Sequence, residues 1–125
     1  MIVLDASALL VVLLAEPAQF TILPRLSGAL ISTANLAETL GRVAANGLDP
    51  GDYAAEIASL GVVATPVTEA HALDAAKLRP LTRHLGLSLG DRLCLALARE
   101  RRLPVLTMDR QWLRYDFGVA VERPN

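Results

Sequence analysis

The sequence predicts an α/β protein: a three-layer α/β/α sandwich in which helices cover both faces of a central parallel sheet of four to five strands. Three observations carry that expectation. Short, wholly apolar runs such as Ile2-Val3-Leu4 read as strands buried on both faces. Segments with helical periodicity separate these runs, and that alternation implies parallel strands joined by helical crossovers. No linker, repeat or low-complexity tract divides the chain, so residues 1–125 form one domain.

The elements follow in order. Met1–Leu4 is the first strand, and Ala6–Ala15 a helix packed on the sheet. Gln19–Leu26 is a short helix opened near Pro17 and interrupted at Pro24, with Gly28 ending it. Ala29–Ile31 is the second strand. Ser32 or Thr33 caps the next helix, which runs to Asn46-Gly47 with Leu36, Leu40 and Val43 as its core stripe. Asp49-Pro50 opens a further helix as N-cap and first helical residue. That helix ends near Leu60-Gly61, before the third strand Val62–Thr65. Thr68 caps a helix to about Leu78, and Pro80–Leu85 is a separate helical piece. Ser88 caps the helix that begins near Leu89, and Pro104–Thr107 is the strand after it. Trp112 and Tyr115 lie on a short helical turn, with Trp112 as a packing anchor, and Gly118–Val121 is the last strand.

With 125 residues, 53% of them hydrophobic, the chain has enough apolar side chains for a real core. The net charge of −1 excludes blanket attraction to polyanions, but its distribution is uneven. Residues 1–76 carry a net of −6 and residues 77–125 a net of +5. The pattern suggests an acidic pocket beside a basic surface, or else a solvated basic face at Arg99, Arg101 and Arg102. Cys94 is the single cysteine and sits in an apolar helical pattern, so it reads as a core residue of a protein in a reducing compartment. The apolar run Ala8–Ala15 is too short to span a membrane, and no secretory leader is evident. A cytoplasmic location without membrane attachment is expected.

Four acids stand out. Asp5 and Asp109 each follow a strand, and Asp91 lies in the first turn of a helix. Glu38 lies one turn into the helix that leaves the strand Ala29–Ile31. Each alone has a structural explanation: Asp5 and Asp109 as N-caps, Asp91 as the partner of Ser88, Glu38 as a solvated residue. Together they predict a carboxylate cluster at the carboxyl edge of the sheet, where ligands of open α/β folds bind. Clustered carboxylates repel one another, and a cation makes the cluster tolerable. Oxygen ligands without cysteine or clustered histidine favour Mg²⁺ or Mn²⁺ over zinc. Such an ion orients a phosphodiester and activates water, which is the chemistry of a metal-dependent nuclease. Ser7, Asn35 and Thr107 stand beside the acids, able to orient a carboxylate or to serve local turns. Arg92 and Arg110 directly follow Asp91 and Asp109 and can meet phosphates flanking the scissile bond, although Arg92 can equally pair with a carboxylate. His71 and His84 lack metal-ligand spacing and are expected on solvated faces.

The motifs occur as an ordered set. Met1-Ile-Val-Leu-Asp5-Ala-Ser7-Ala-Leu resembles the opening of PIN-domain ribonucleases, in particular the VapC-like toxins of toxin–antitoxin pairs. Ile31-Ser-Thr-Ala-Asn35-Leu-Ala-Glu38, Leu89-Gly90-Asp91-Arg-Leu-Cys and Leu106-Thr107-Met-Asp109-Arg-Gln-Trp112 resemble the family's later acidic motifs. The resemblance covers nearly the whole chain. It implies a single PIN-like nuclease domain in which Asp5, Glu38, Asp91 and Asp109 bind Mg²⁺ or Mn²⁺ and catalyse endonucleolytic RNA cleavage, supported by Ser7 and Thr107. It also implies a homodimer inhibited by a small VapB-like antitoxin. An apolar groove near Leu9, Leu10 and Leu13 is the expected seat of the antitoxin helix. One departure bears on the number of ions: many relatives carry a further acid where this chain has Gln111, and Asp116 lies further on.

Other α/β readings lose on single residues. A haloacid-dehalogenase-type phosphatase needs an aspartate where Ser7 stands, and a receiver domain needs a lysine near Thr107-Met108-Asp109. A catalytically silent PIN-like module that docks a partner protein or RNA is the alternative that survives.

Overall fold

A computed structural model describes residues 1–124 and gives a five-stranded, wholly parallel sheet. Its strands are β1 (Val3–Leu4), β2 (Leu30–Ser32), β3 (Val63–Thr65), β4 (Val105–Leu106) and β5 (Val121–Glu122), in spatial order β3-β2-β1-β4-β5. The helices are α1 (Ala6–Leu13), α2 (Gln19–Ile22), α3 (Thr33–Ala45), α4 (Pro50–Ser59), α5 (Glu69–Thr82) and α6 (Leu89–Arg101).

Strand alternation divides the interior into two cores. Ile2, Leu4, Ile31 and Leu106 point to one face, where α1 to α4 contribute Leu9, Val12, Ile22, Val43 and Ile57. Val3, Leu30 and Val105 point to the other, against Leu78 of α5 and Cys94, Leu95 and Leu97 of α6. These are the three layers the sequence predicts. Trp112 is fully buried in the second core, as expected of an anchor.

The strand order fixes where a ligand can enter. The chain leaves β1 towards β2 on one side and later returns to β4 on the other. The switch point therefore lies between β1 and β4, and the loops leaving their carboxyl ends splay apart there. Asp5 follows β1, and Thr107 to Asp109 follow β4.

Several expectations need correction. Pro80 does not separate two helices: α5 runs through it to Thr82, and only then does a 3-10 turn, Arg83–Leu85, begin. Proline removes one backbone donor, and so near a helix end it interrupts little. The last strand is Val121–Glu122 rather than Gly118–Val121; Gly118, at φ +80°, belongs to the preceding turn. His71 is buried, not solvated. Its Nδ1 accepts from the Thr68 amide at 3.2 Å and its Nε2 meets Glu100 Oε1 at 2.9 Å, so it completes the cap of α5. That bond holds the Glu100 carboxyl below its ordinary range. Leu9 and Leu13 are core residues rather than groove lining, and the apolar side chains left exposed nearby are Leu14, Phe20 and Leu23. Among the described residues, no helix is long and apolar enough to cross a membrane.

Candidate metal centre

A cleft of about 350 Å³ opens at the switch point, lined by Asp5, Ser7, Glu38, Asp91 and Asp109 together with Leu10 and Arg42. All four predicted acids thus face one space, delivered by four separate elements. The lining contains neither histidine nor cysteine.

Asp5 is the innermost, only 4% exposed. It occupies the N-cap position of α1, yet its side chain makes no capping hydrogen bond. Instead its Oδ2 accepts from the Ser7 hydroxyl at 2.7 Å and the Thr107 hydroxyl at 2.8 Å. Those hydroxyls are held in turn by backbone. The Met108 amide donates to Ser7 Oγ at 3.0 Å, and the Asp109 amide to Thr107 Oγ1 at 3.1 Å. The network fixes the carboxylate and stitches the β1 and β4 loops together. Burial pushes the Asp5 carboxyl up to about 6; Ser7 and Thr107 pull it down, and the nearby Asp91 charge adds to the rise.

Asp91 does two things at once. It completes a capping box: the Ser88 amide donates to its Oδ2 at 2.9 Å, and its own amide donates to Ser88 Oγ at 3.1 Å. Its carboxyl also lines the cleft and is raised, first by burial and further by Asp109, while the Ser88 bonds and Arg92 pull it down. Asp109 is likewise both cap and lining, with Oδ1 accepting from the Gln111 amide at 2.9 Å. The capping and site readings are therefore compatible, because each carboxylate has two oxygens and the cap uses one.

Glu38 is placed by Asn35. The Asn35 amide nitrogen, fully buried, donates to Glu38 Oε1 at 2.9 Å and to the Gly90 carbonyl at 3.1 Å, tying α3 to the start of α6. Gly90 is the reason that approach succeeds: a Cβ there would overlap the Glu38 carboxyl. Sequence reasoning missed Gly90, and nothing short of the packing reveals it. It also missed Arg42, whose signal was available, since a residue four places after Glu38 shares its helix face.

The arginines part company. Arg110 is exposed beside Asp109, without an ion-pair partner among the described residues. Arg92 does not flank the acid cleft as the sequence suggested. It is buried, donates Nη1 to the Ala75 carbonyl at 2.9 Å, and forms no ion pair among the described residues. Gln111 and Asp116 lie outside the cleft lining, and Asp116 instead accepts from the Gly118 amide at 2.8 Å. Cys94 lies beneath the acids, its thiol pushed well up by burial and by the charges of Asp5, Asp91 and Glu38.

Among the described residues, no three acidic, histidine or cysteine side chains converge closely enough to hold one ion between them. That spacing still suits Mg²⁺ or Mn²⁺. Mg²⁺ is usually bound through one or two carboxylates and keeps several waters, unlike an ion caged wholly by protein. The donor set fits such an ion: all oxygens, one face, two carboxyls raised by burial and mutual repulsion.

The fold and cleft define a class: an α/β/α sandwich with an acid-lined pocket at its switch point. The chain belongs to the PIN-domain family, whose profile matches residues 2–118. Solved structures share the fold over almost the full length. VapBC2 from Rickettsia felis, bound to a promoter DNA fragment, aligns with TM-score 0.78 and 17% identity over all of both chains. A toxin–antitoxin complex from Klebsiella pneumoniae aligns with TM-score 0.77 and 16% identity, covering 100% of this chain and 98% of that one. FitAcB from Neisseria gonorrhoeae aligns at 0.70 and 23% identity, covering 99% and 98%. No curated protein matches the sequence.

Proposed function

We propose that the chain is a Mg²⁺- or Mn²⁺-dependent endoribonuclease that acts in the cytoplasm as the toxin of a toxin–antitoxin pair. The observation that carries the reading is the convergence of Asp5, Glu38, Asp91 and Asp109 on one cleft at the switch point. Membership of the PIN family supports nuclease chemistry, and the similar folds in toxin–antitoxin complexes support the biological setting.

Asp5 and Asp91 would hold the ion most directly, with Asp109 and Glu38 reaching it through water. When bound, the ion supplies a Lewis acid that lowers the pKa of an attacking water and neutralises the leaving oxygen. The residues of the chain do the positioning. Ser7 and Thr107 fix the Asp5 carboxylate. Asn35 sets Glu38, and Ser88 sets Asp91. Arg42 and Arg110 offer cations to the phosphates on either side of the scissile bond. With Gln111 and Asp116 outside the cleft lining, the reading takes one tightly held ion.

The proposed partners are single-stranded RNA, a VapB-like antitoxin and a second copy of the chain. Leu14, Phe20 and Leu23, exposed around the end of α1 and α2, suit the antitoxin's apolar helix. Leu73, Leu81 and Leu113, each more than half exposed, suit a homodimer face.

The separation of the carboxylates favours one rival, a PIN-like module that binds without cleaving. A single assay separates the two: labelled RNA incubated with the chain in Mg²⁺, in Mn²⁺ and in chelator. Cleavage that needs the ion and disappears in Asp5→Asn and Asp91→Asn supports the nuclease. Equal cleavage by the wild type and both variants, or none by any of them, leaves the silent module.

A further inference from the structure

A second cleft, of about 580 Å³, lies between the end of α5, the turn Arg83–Leu85 and the start of α6. Ala72, Ala76 and Leu87 form apolar wall, and Arg79, Arg83 and Arg92 bring three guanidinium groups, while no acid lines it. The Arg79 and Arg83 side chains form no ion pair or hydrogen bond among the described residues, so their charges are available. Arg92 adds a third charge. It is 9% exposed, and its Nε is buried without a hydrogen-bond partner among the described residues. That Nε is sealed from the cleft, so what Arg92 lends the cleft is its positive charge, which no ion pair among the described residues neutralises.

The position ties this cleft to the first. Ser88 lines it, and Ser88 also caps the helix turn that carries Asp91 into the acid cleft. Asp91 and Arg92 are neighbours in sequence and line different clefts, one on each side of the first turn of α6.

We infer that the arginine cleft is a phosphate subsite, binding the backbone of single-stranded RNA some nucleotides away from the bond cut in the acid cleft. It rests on the nuclease reading for its substrate. A helix is roughly 10 Å across, which is the span between the two clefts. A strand leaving the acid cleft over this turn would reach the arginines within a few nucleotides. Guanidinium forks suit phosphate oxygens, and the absence of acids keeps the attraction unopposed. The subsite therefore sets affinity and register, while the bond-breaking groups lie elsewhere.

The test uses the paired variant Arg79→Ala with Arg83→Ala, both side chains lying on the surface, so that folding is not at stake. Two measurements keep this inference separate from the nuclease reading. In chelator, binding of an uncleavable deoxy oligonucleotide is followed against salt concentration. The variant should bind about tenfold more weakly, with the salt slope reduced by roughly 0.7 for each arginine. In Mg²⁺, its KM for a long RNA should rise with kcat unchanged, while cleavage of a dinucleotide stays at the wild-type level. Wild-type binding and salt slope in the variant overturn the subsite whatever the cleavage assay gives. Weakened binding by the variant in a protein that cleaves nothing keeps the subsite and overturns only the nuclease. If the variant loses affinity for a polyglutamate peptide and not for the oligonucleotide, the cleft is a protein-docking site and the inference fails.

Discussion

The Asp5 carboxyl is the most consequential single group, because it is buried, fixed by two hydroxyls and close to another acid. Its value of about 6 in the folded chain lies above its ordinary 3.8. Between those pH values the folded state holds the extra proton, so stability falls as pH rises through that window. Above pH 6 the full penalty stands, roughly 3 kcal/mol for a shift of about two units. Asp5→Asn should therefore stabilise the ion-free protein by about 1–3 kcal/mol at pH 7. The asparagine oxygen can still accept from Ser7 and Thr107, and the gain should vanish below pH 4. Urea melts in chelator at both pH values check this; a variant less stable at pH 7 would contradict it. Gly90 gives a second residue-scale expectation. Glycine to alanine within a helix ordinarily stabilises by about 1 kcal/mol, but here the methyl displaces the Glu38 carboxyl. Gly90→Ala should keep its fold by circular dichroism and lose roughly tenfold or more in cleavage rate, as misplacement by about 1 Å does in other sites. Unchanged cleavage would show that Glu38 is dispensable.

Elements explain why much could be read from the chain and some could not. β1, β2 and β4 are short apolar runs, and the caps Asp49, Thr68 and Ser88, with Ser32 or Thr33, announce their helices; the structure chooses Ser32, and all four bond as capping requires. The ends of elements depend on tertiary partners that periodicity does not contain. β5 is set by pairing with β4, Val105 opposite Val121 and Leu106 opposite Glu122, and so it begins later than its own residues suggest. His71 looks polar and solvated in isolation; only Glu100 of α6, approaching across the helix pair, makes its burial tolerable. Asp5, Asp91 and Asp109 were readable because each sits at a predicted boundary, and Glu38 because it lies one turn into the helix that leaves a predicted strand. Gly90 and the turn of Arg92 into another cleft were not, since both depend on how α6 meets α3 and α5. The capping box of α6 gives the element-scale expectation. Ser88→Ala should destabilise by about 1 kcal/mol and should also slow cleavage: losing the hydroxyl that accepts from the Asp91 amide loosens the turn in which the Ser88 backbone amide holds the Asp91 carboxylate. Loss of stability with unaltered cleavage would separate the cap from the site.

At the scale of the whole molecule, the layers place an acid-lined cleft at the one edge where the sheet changes direction, and the basic second half of the chain places arginines beside it. The exposed leucines of α5 and the turn after β4 lead us to expect a homodimer; sedimentation at micromolar concentration giving only monomer would contradict that. The central claim is that the acids form a seat for a divalent ion, and titration with Mn²⁺ while following thermal unfolding tests it most directly. An ion bound only by the folded state must raise the melting temperature, by an amount that grows with its concentration. Because Asp5 must lose its proton to serve, the rise should be larger at pH 7.5 than at pH 5.5. Such a rise is expected in the wild type, with little or none in Asp5→Asn. An equal rise in both proteins, or none in the wild type at millimolar Mn²⁺, would contradict it.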